Sequence, residues 1–303
     1  MANTQAFVLH DGLIQLGGQD KLSYLHGQVT QDINLVTDEQ FKWTGHCSPK
    51  GKLWGVFRVF KHQDSYLLWG SPAATAASLR ELKKYGVFAK VTIAQSELKL
   101  IGLLTDDQSA VCQTLGIHFN EGCNACNFGP YKALKLDAQR LLLVVDESFS
   151  LPAEFALQST DTQWQRAAIL AGEPSLGEQD IDQYVPQMLN LQALDGISFR
   201  KGCYTGQETV ARMRYLGKNK RALFIATATL STLPASVELE SPVESGWRRA
   251  GEPLQFAYDQ NNGEFVCTIV LANDTSLDTV LRFKEQPDLQ LKLVALPYSL
   301  DPQ

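Results

Sequence analysis

The residues of this chain best suited to chemistry lie together at positions 198–209, which read Ser-Phe-Arg-Lys-Gly-Cys-Tyr-Thr-Gly-Gln-Glu-Thr. Cys203 could serve as a nucleophile or a ligand contact, and it follows two cations, Arg200 and Lys201. Thr205-Gly206-Gln207-Glu208 has the Ser/Thr-x-x-Glu form of a helix capping box, so the spacing predicts Cys203 at the mouth of a helix. Unpaired N–H groups and the helix dipole favour negative charge there, and the thiolate is the reactive form of cysteine. Gly202 and Gly206 allow backbone angles or close approaches that a side chain would block. The competing reading is a small buried cysteine beside a turn, the commoner fate of this residue type.

The same region is basic. Between Arg200 and Arg221 lie Arg200, Lys201, Arg212, Arg214, Lys218, Lys220 and Arg221 against one acid, Glu208, in a chain whose net charge is −6. The total argues against a surface coated for nucleic acid, DNA included. The local excess suits either a solvated charged face or a site for carboxylates or phosphates. Two other groupings invite a chemical reading. His46 precedes Cys47, but neighbours in an extended segment point to opposite faces, which speaks against a dyad. Cys123-Asn-Ala-Cys126, with Cys112 and His118 upstream, is a lone C-x-x-C in a loop rich in Gly and Asn, so no metal site is expected.

Positioning these residues requires a chain of 303 residues, long enough for two or three cores, with an ordinary globular composition of 44% hydrophobic and 20% charged residues. The beginning has no secretory pattern and no apolar run approaches a membrane span, so the expectation is a cytoplasmic protein with six reduced cysteines and no membrane partner. Leu13–Leu16 is a short strand candidate, and Asp20 is placed to cap a helix that stops at Gly27. Leu53–Phe60 and Ser65–Trp69 form a hairpin, Thr75–Tyr85 a helix ended by Gly86, and Val87–Ile93 and Leu98–Leu104 return to strand. A second round follows: helix at Gln108–Leu115, a hairpin of Tyr131–Leu136 with Leu141–Val145, and a short helix at Pro152–Leu157. This alternation predicts an α+β fold of two antiparallel units with helices on one face. A helix from Asp161, carrying Trp164, ends at Gly172-Glu173-Pro174. Leu223–Thr229, Phe265–Leu271 and Leu289–Leu296 are β-like, predicting an all-β C-terminal domain.

At 201–208, Lys-Gly-Cys-Tyr-Thr-Gly-Gln-Glu, the sequence resembles the YgfZ family, bacterial folate-binding proteins connected with tRNA modification and related to the aminomethyltransferase of the glycine cleavage system. Similar segments occur at 24–30, 47–52, 83–88, 171–174, 186–196 and 296–300. The resemblance implies two interleaved antiparallel α+β domains over 1–215 and a C-terminal β-barrel over 216–303, arranged as an aminomethyltransferase-like ring with a central channel. It also implies a tetrahydrofolate or related folate cofactor. Trp164 matches the family's folate-associated tryptophan, whereas a second one near the N-terminus of some members has no counterpart at Asp11-Gly12-Leu13. Trp164 can stack on a pterin, and Arg200, Lys201 and Arg212 can hold the glutamate tail. Tyr204, Gln207 and Glu208 complete the candidate folate contacts, and Cys203 is the candidate reactive thiol.

The function implied is an accessory factor for iron–sulphur enzymes, including those that thiolate tRNA, so its partners are folate and iron–sulphur or tRNA-modifying proteins. Direct tRNA contact is a separate possibility; the acidic total and the lack of an RNA-binding signature count against it. A folate-dependent aminomethyltransferase is the alternative. Such an enzyme carries an acid after its first long hairpin, and the segment 68–75, Leu-Trp-Gly-Ser-Pro-Ala-Ala-Thr, contains no carboxylate to steer protonation.

Overall fold

The computed structural model describes residues 4–217 and 219–300, and Lys218 of the basic segment lies outside them. The chain divides into two compact units. One takes the residues up to Cys47, Trp54–Asp161 and Asp195–Thr205; the other takes Ser48–Leu53, Thr162–Leu194 and the chain from Gly206 onward.

The first unit holds β1 (Gln5–Leu9), β2 (Gly12–Gly17), α1 (Lys21–Gln28), β3 (Lys42–Cys47), β4 (Leu53–His62), β5 (Ser65–Gly70), α2 (Pro72–Tyr85), β6 (Thr92–Gln95), β7 (Lys99–Leu104), α3 (Gln108–Leu115), β8 (Ala125–Phe128), β9 (Tyr131–Lys135), β10 (Arg140–Val145) and β11 (Ala156–Leu157). These strands form two sheets, ordered β11-β1-β7-β10-β9-β8 and β3-β4-β5-β2-β6. Interleaving starts at the first turn: β1 and β2 are separated only by His10 and Asp11, yet β1 pairs with β7, Phe7 opposite Gly102, and β2 pairs with β5, Ile14 opposite Leu68. Each sheet has its own core, one around Leu103, Leu141, Leu143 and Ala133, the other around Ile14, Phe57, Leu68 and Leu82. The expected hairpins form, Phe60 opposite Leu67 and Leu143 opposite Ala133. α2 begins where the Ser71 hydroxyl accepts from Ala74 N at 3.2 Å, with Pro72 in the first turn, where its missing N–H costs nothing.

The second unit holds α4 (Thr162–Leu170), α5 (Gln207–Tyr215), β12 (Arg221–Thr229), β13 (Leu239–Val243), β14 (Gly246–Gly251), β15 (Gln255–Asp259), β16 (Glu264–Ala272), β17 (Val280–Phe283) and β18 (Gln290–Val294). Its strands run in the order β14-β13-β17-β18-β12-β16-β15, antiparallel at every pairing, with β12 and β16 in register along their whole length, Phe224 opposite Ile269. The sheet curls into a half-barrel around Phe265, Phe283, Leu239 and Leu291. α4 is tied to it by Arg166, whose Nε and Nη2 donate to Glu264 at 2.7 and 2.8 Å, and by Gln163, which donates to Asp259 at 2.7 Å.

Three local expectations are corrected. Pro152–Leu157 is not a helix: a turn leads into β11, where Ala156 N donates to Thr4 O and Gln158 N to Ala6 O, because the open edge of β1 offers that short segment ladder partners. Val87–Ile93 is not one strand, since Gly86–Phe88 makes a 3-10 turn and β6 starts only at Thr92. Asp20 does stand at the N-cap of α1 but does not cap it; its carboxylate accepts from Lys90 N at 2.8 Å. Among the described residues no helix is long and apolar enough to cross a membrane.

Candidate functional site

The segment 198–205 has no regular secondary structure, and what fixes it is Lys201. This side chain is buried at 9% exposure. Its ammonium donates to three main-chain carbonyls, those of His26, Val29 (2.7 Å) and Gln31 (2.9 Å), at and just beyond the C-terminal end of α1, where the helix leaves acceptors unsatisfied and favours a cation. Backbone bonds sew the two segments together on either side, Ser198 N to Thr30 O at 2.9 Å and Thr205 N to Gly27 O at 3.2 Å. The Thr30 hydroxyl donates to Gly196 O at 2.6 Å and accepts from Gly45 N at 2.8 Å, which joins β3 to the same knot.

Electrostatics around Lys201 follow from that burial, which pushes its ammonium down to about 8 with the Asp32 carboxylate opposing. His26 is lowered by burial and by Lys201, with Asp32 acting against both. Burial would raise Asp32, but hydrogen bonds from Asn34 and the charges of His26 and Lys201 hold it below its ordinary value. His26 Nδ1 lies 3.4 Å from Asp32 Oδ1. Tyr204 is buried too; the Lys201 ammonium stands 5.1 Å from its ring centroid, and burial, with Cys47 nearby, raises its phenol. Between these two anchored side chains Cys203 is exposed, unlike the other five cysteines: Cys47, Cys126 and Cys267 are buried, and Cys112 and Cys123 are partly covered.

The capping box does not form. α5 begins at Gln207, its N-cap is Gly206 in the left-handed region (φ 83°), and among the described residues no side chain caps it. Glycine suits position 206 because of that left-handed φ, and Gly51, itself at φ 74°, packs against it so closely that a Cβ on Gly51 would lie 2.9 Å from Gly206 O and 2.5 Å from Thr209 Cβ. Cys203 therefore stands four residues before the first helical residue, outside the turn where the dipole acts, and the helix-mouth argument for its chemistry falls.

The candidate residues divide between the units. Arg200, Lys201, Cys203 and Tyr204 belong to the first; Trp164, Gln207, Glu208 and Arg212 belong to the second. Lys201 is not part of an outward cationic cluster, since its donors face the main chain. Arg200 is exposed, and Arg212 pairs along α5 with Glu208 at 3.0 Å, both side chains in solvent. Trp164 is buried at 4% exposure on α4. Downstream segments meet inside the second unit: Tyr298 Oη donates to Gly172 O at 2.7 Å, and Asn190 Nδ2 donates to Leu223 O at 2.8 Å. Of the other groupings, His46 is fully buried on β3 with its ring edge-on to Trp54, and burial pushes it down to about 3. Cys126 lies on β8 in an apolar core, its thiol pushed up to about 11 by burial, and Cys123 Sγ is 3.4 Å from Glu39 Oε2.

Over 298 residues the chain is 41% identical to the tRNA-modifying protein YgfZ of Vibrio vulnificus, a match spanning 96% of this chain and 90% of that protein. The chain belongs to the YgfZ family. YgfZ proteins of Colwellia psychrerythraea (39% identical, 95% of this chain and 91% of the relative) and Escherichia coli (37%, with the same coverage) match as fully. The family's β-barrel domain, "YgfZ, beta-barrel domain", matches residues 219–286, within the half-barrel of the second unit. Among solved structures, the glycine cleavage system aminomethyltransferase T of Bartonella henselae superposes with a TM-score of 0.72 over 100% of this chain and 87% of its own, at 13% identity, so the fold is aminomethyltransferase-like. Within this chain, sequence reasoning missed His26 and Asp32 as partners of Lys201. For His26 the signal was present in the motif-like segment 24–30, but nothing in it says which distant residue it receives, and Asp32 lies beyond that segment.

Proposed function

We propose that the protein binds tetrahydrofolate and, as an accessory factor, supports the iron–sulphur enzymes on which tRNA modification depends, with Cys203 as its reactive thiol. The observation that carries this reading is the presentation of Cys203: an exposed thiol between two buried, anchored residues, in a segment fastened at three carbonyls by Lys201. A cysteine kept only for packing would be buried. The tRNA connection is supported by the relatives, which are named tRNA-modifying proteins. Folate is supported by the family resemblance and by the aminomethyltransferase-like fold. Residue chemistry supports the reading: the guanidiniums of Arg200 and Arg212 suit glutamate carboxylates and the Trp164 indole suits a pterin, while within the second unit Gln187 Oε1 and Gln192 Oε1 are buried acceptors without a hydrogen-bond partner among the described residues. Tyr204, Gln207 and Glu208 are further proposed folate contacts, and Lys201 holds the Cys203 segment in place rather than touching the tail. The test is a Cys203→Ala variant measured for tetrahydrofolate binding by calorimetry and for recovery of an iron–sulphur enzyme's activity in cells lacking the wild-type protein. Binding retained with recovery lost is expected; full recovery, or no calorimetric signal from the wild type, overturns the reading.

A second reading, folate-dependent aminomethyl transfer, is favoured by one observation. The segment 68–75 contains no carboxylate of its own, but the Asp11 carboxylate accepts from Trp69 Nε1 at 2.7 Å, so the first unit does hold an acid beside it. Methylene transfer from an aminomethyl donor to tetrahydrofolate, abolished in Asp11→Asn, would promote this reading over the first.

A further inference from the structure

The half-barrel contains a feature that neither the folate reading nor Cys203 uses. Its sheet does not close by hydrogen bonds: β14 and β15 are its two edges. Beside the β14 edge lies a cleft of about 310 Å³ lined by Arg221, Ser241, Arg248 and Arg249, with the 270–272 stretch of β16 as its floor. Two adjacent arginines on a regular strand would point to opposite faces. Here the register of β13 and β14 shifts between Leu239 and Glu240: Ser241 faces Arg248, Glu240 faces Arg249, and Leu239 faces Gly251, leaving Ala250 as the extra residue of a β-bulge. Both arginines nevertheless line the cleft, with the bulge one residue beyond Arg249, as is common at sheet edges.

The charge in this cleft is only partly compensated. Arg249 Nε pairs with Glu238, which also receives Lys284. Arg221 Nη2 donates to the neutral carbonyl of Val270 at 2.8 Å, and among the described residues no carboxylate lies within ion-pair distance of Arg221 or Arg248. Arg248 and Arg249 are exposed, and Lys220 continues the basic line from Arg221. Trp247, which precedes Arg248 on β14, is covered by the Arg282 guanidinium 4.2 Å from its ring centroid. Guanidiniums are the side chains best matched to phosphate oxygens. An open trough with several exposed arginines holds a small anion weakly, because water screens each contact; it suits a ligand that presents successive phosphates.

We propose that this cleft binds the phosphodiester backbone of RNA. The choice of RNA rests on the relatives' description as tRNA-modifying proteins; the anion chemistry rests on the cleft and is independent of the folate reading. Contact is to the backbone, so it positions the RNA without reading its bases. The chain's net charge of −6 opposes non-specific association, which confines binding to this local basic surface.

The test is fluorescence anisotropy of a labelled, unmodified tRNA transcript with the full-length protein, from about 50 to 200 mM salt. Saturable binding is expected, and Arg221→Gln with Arg248→Gln should weaken it about tenfold or more and flatten the log–log salt slope by about 1 per arginine. Ser241→Glu, which adds a negative charge at the cleft wall without removing an arginine, should weaken binding in the same direction and serves if the double variant melts early. Tetrahydrofolate calorimetry on these variants should be unchanged. Absence of saturable binding by the wild type, unchanged affinity and slope in the variants, full displacement by millimolar inorganic phosphate, or equal affinity for duplex DNA would each overturn the proposal, as would loss of folate and RNA binding together.

Discussion

The Lys201 ammonium lies 2.7 Å from the carbonyl oxygen of Val29, 172 positions earlier in the chain. With the His26 and Gln31 carbonyls it makes one buried junction between the segment that presents Cys203 and the end of α1.

Replacing Lys201 with Met removes a buried charge but strands three acceptors, and orphaned acceptors outweigh the relieved desolvation, so the unfolding free energy should fall by about 2–3 kcal/mol in urea titrations. The pH dependence gives a second check. The folded value of about 8 lies below the ordinary 10.5, so the unfolded chain holds more protons between them, and the Lys201 contribution to stability rises with pH through that window. This component of the rise should be missing from the variant's stability curve.

His46 has a signature of the same sign in a lower window, on the acid side. Both ring nitrogens are buried without hydrogen-bond partners among the described residues, and the folded value is about 3 against 6.5. As pH falls below about 6.5 the unfolded chain takes up a proton that the folded one refuses, so stability declines. His46→Leu should cost under about 1.5 kcal/mol at pH 7 and move the acid unfolding midpoint, followed by circular dichroism, to lower pH. A variant that unfolds at the same pH as wild type would show that His46 does not set acid lability.

Gly51→Ala combines a left-handed φ of 74° with a Cβ 2.9 Å from Gly206 O and 2.5 Å from Thr209 Cβ. A loss of at least about 2 kcal/mol is expected, seen as a lower melting temperature. Gly116→Ala, also left-handed at φ 66° but open to solvent, supplies the strain without the clash and should lose less.

Iodoacetamide under native conditions should label Cys203 before any other thiol, because the remaining five cysteines are buried or partly covered. Peptide mass spectrometry at short times checks the order; equal early labelling of Cys112 or Cys123 would contradict it.

Local elements were legible in the residues themselves. Hairpins at 53–70 and 131–145 and the helices at 72–85 and 108–115 appear where apolar runs are punctuated by turn residues, because strand and helix periodicity is written within a few neighbours. β11 was not legible, since two residues become a strand only when the edge of β1 is there to pair with them. The capping box misled for a related reason: Thr205-x-x-Glu208 has the right spacing, but Thr205 N is held by Gly27 O, and Gly206 takes the cap.

Residue types alone marked Cys203 and its basic neighbourhood as the place for chemistry, and the octapeptide at 201–208 pointed to the family. Direction was decided by the fold. Lys201 and Arg212 are both cations in one basic stretch, but one is turned inward onto three carbonyls and the other lies in solvent beside Glu208. Asp11 and Trp69 are 58 positions apart and share a hydrogen bond, and Arg221 lines a cleft with Arg248. Charge and periodicity are properties of neighbours along the chain, whereas the partner of a buried ammonium, the acid beside a segment that has none, and the closing side of a half-barrel depend on which distant backbone passes close by.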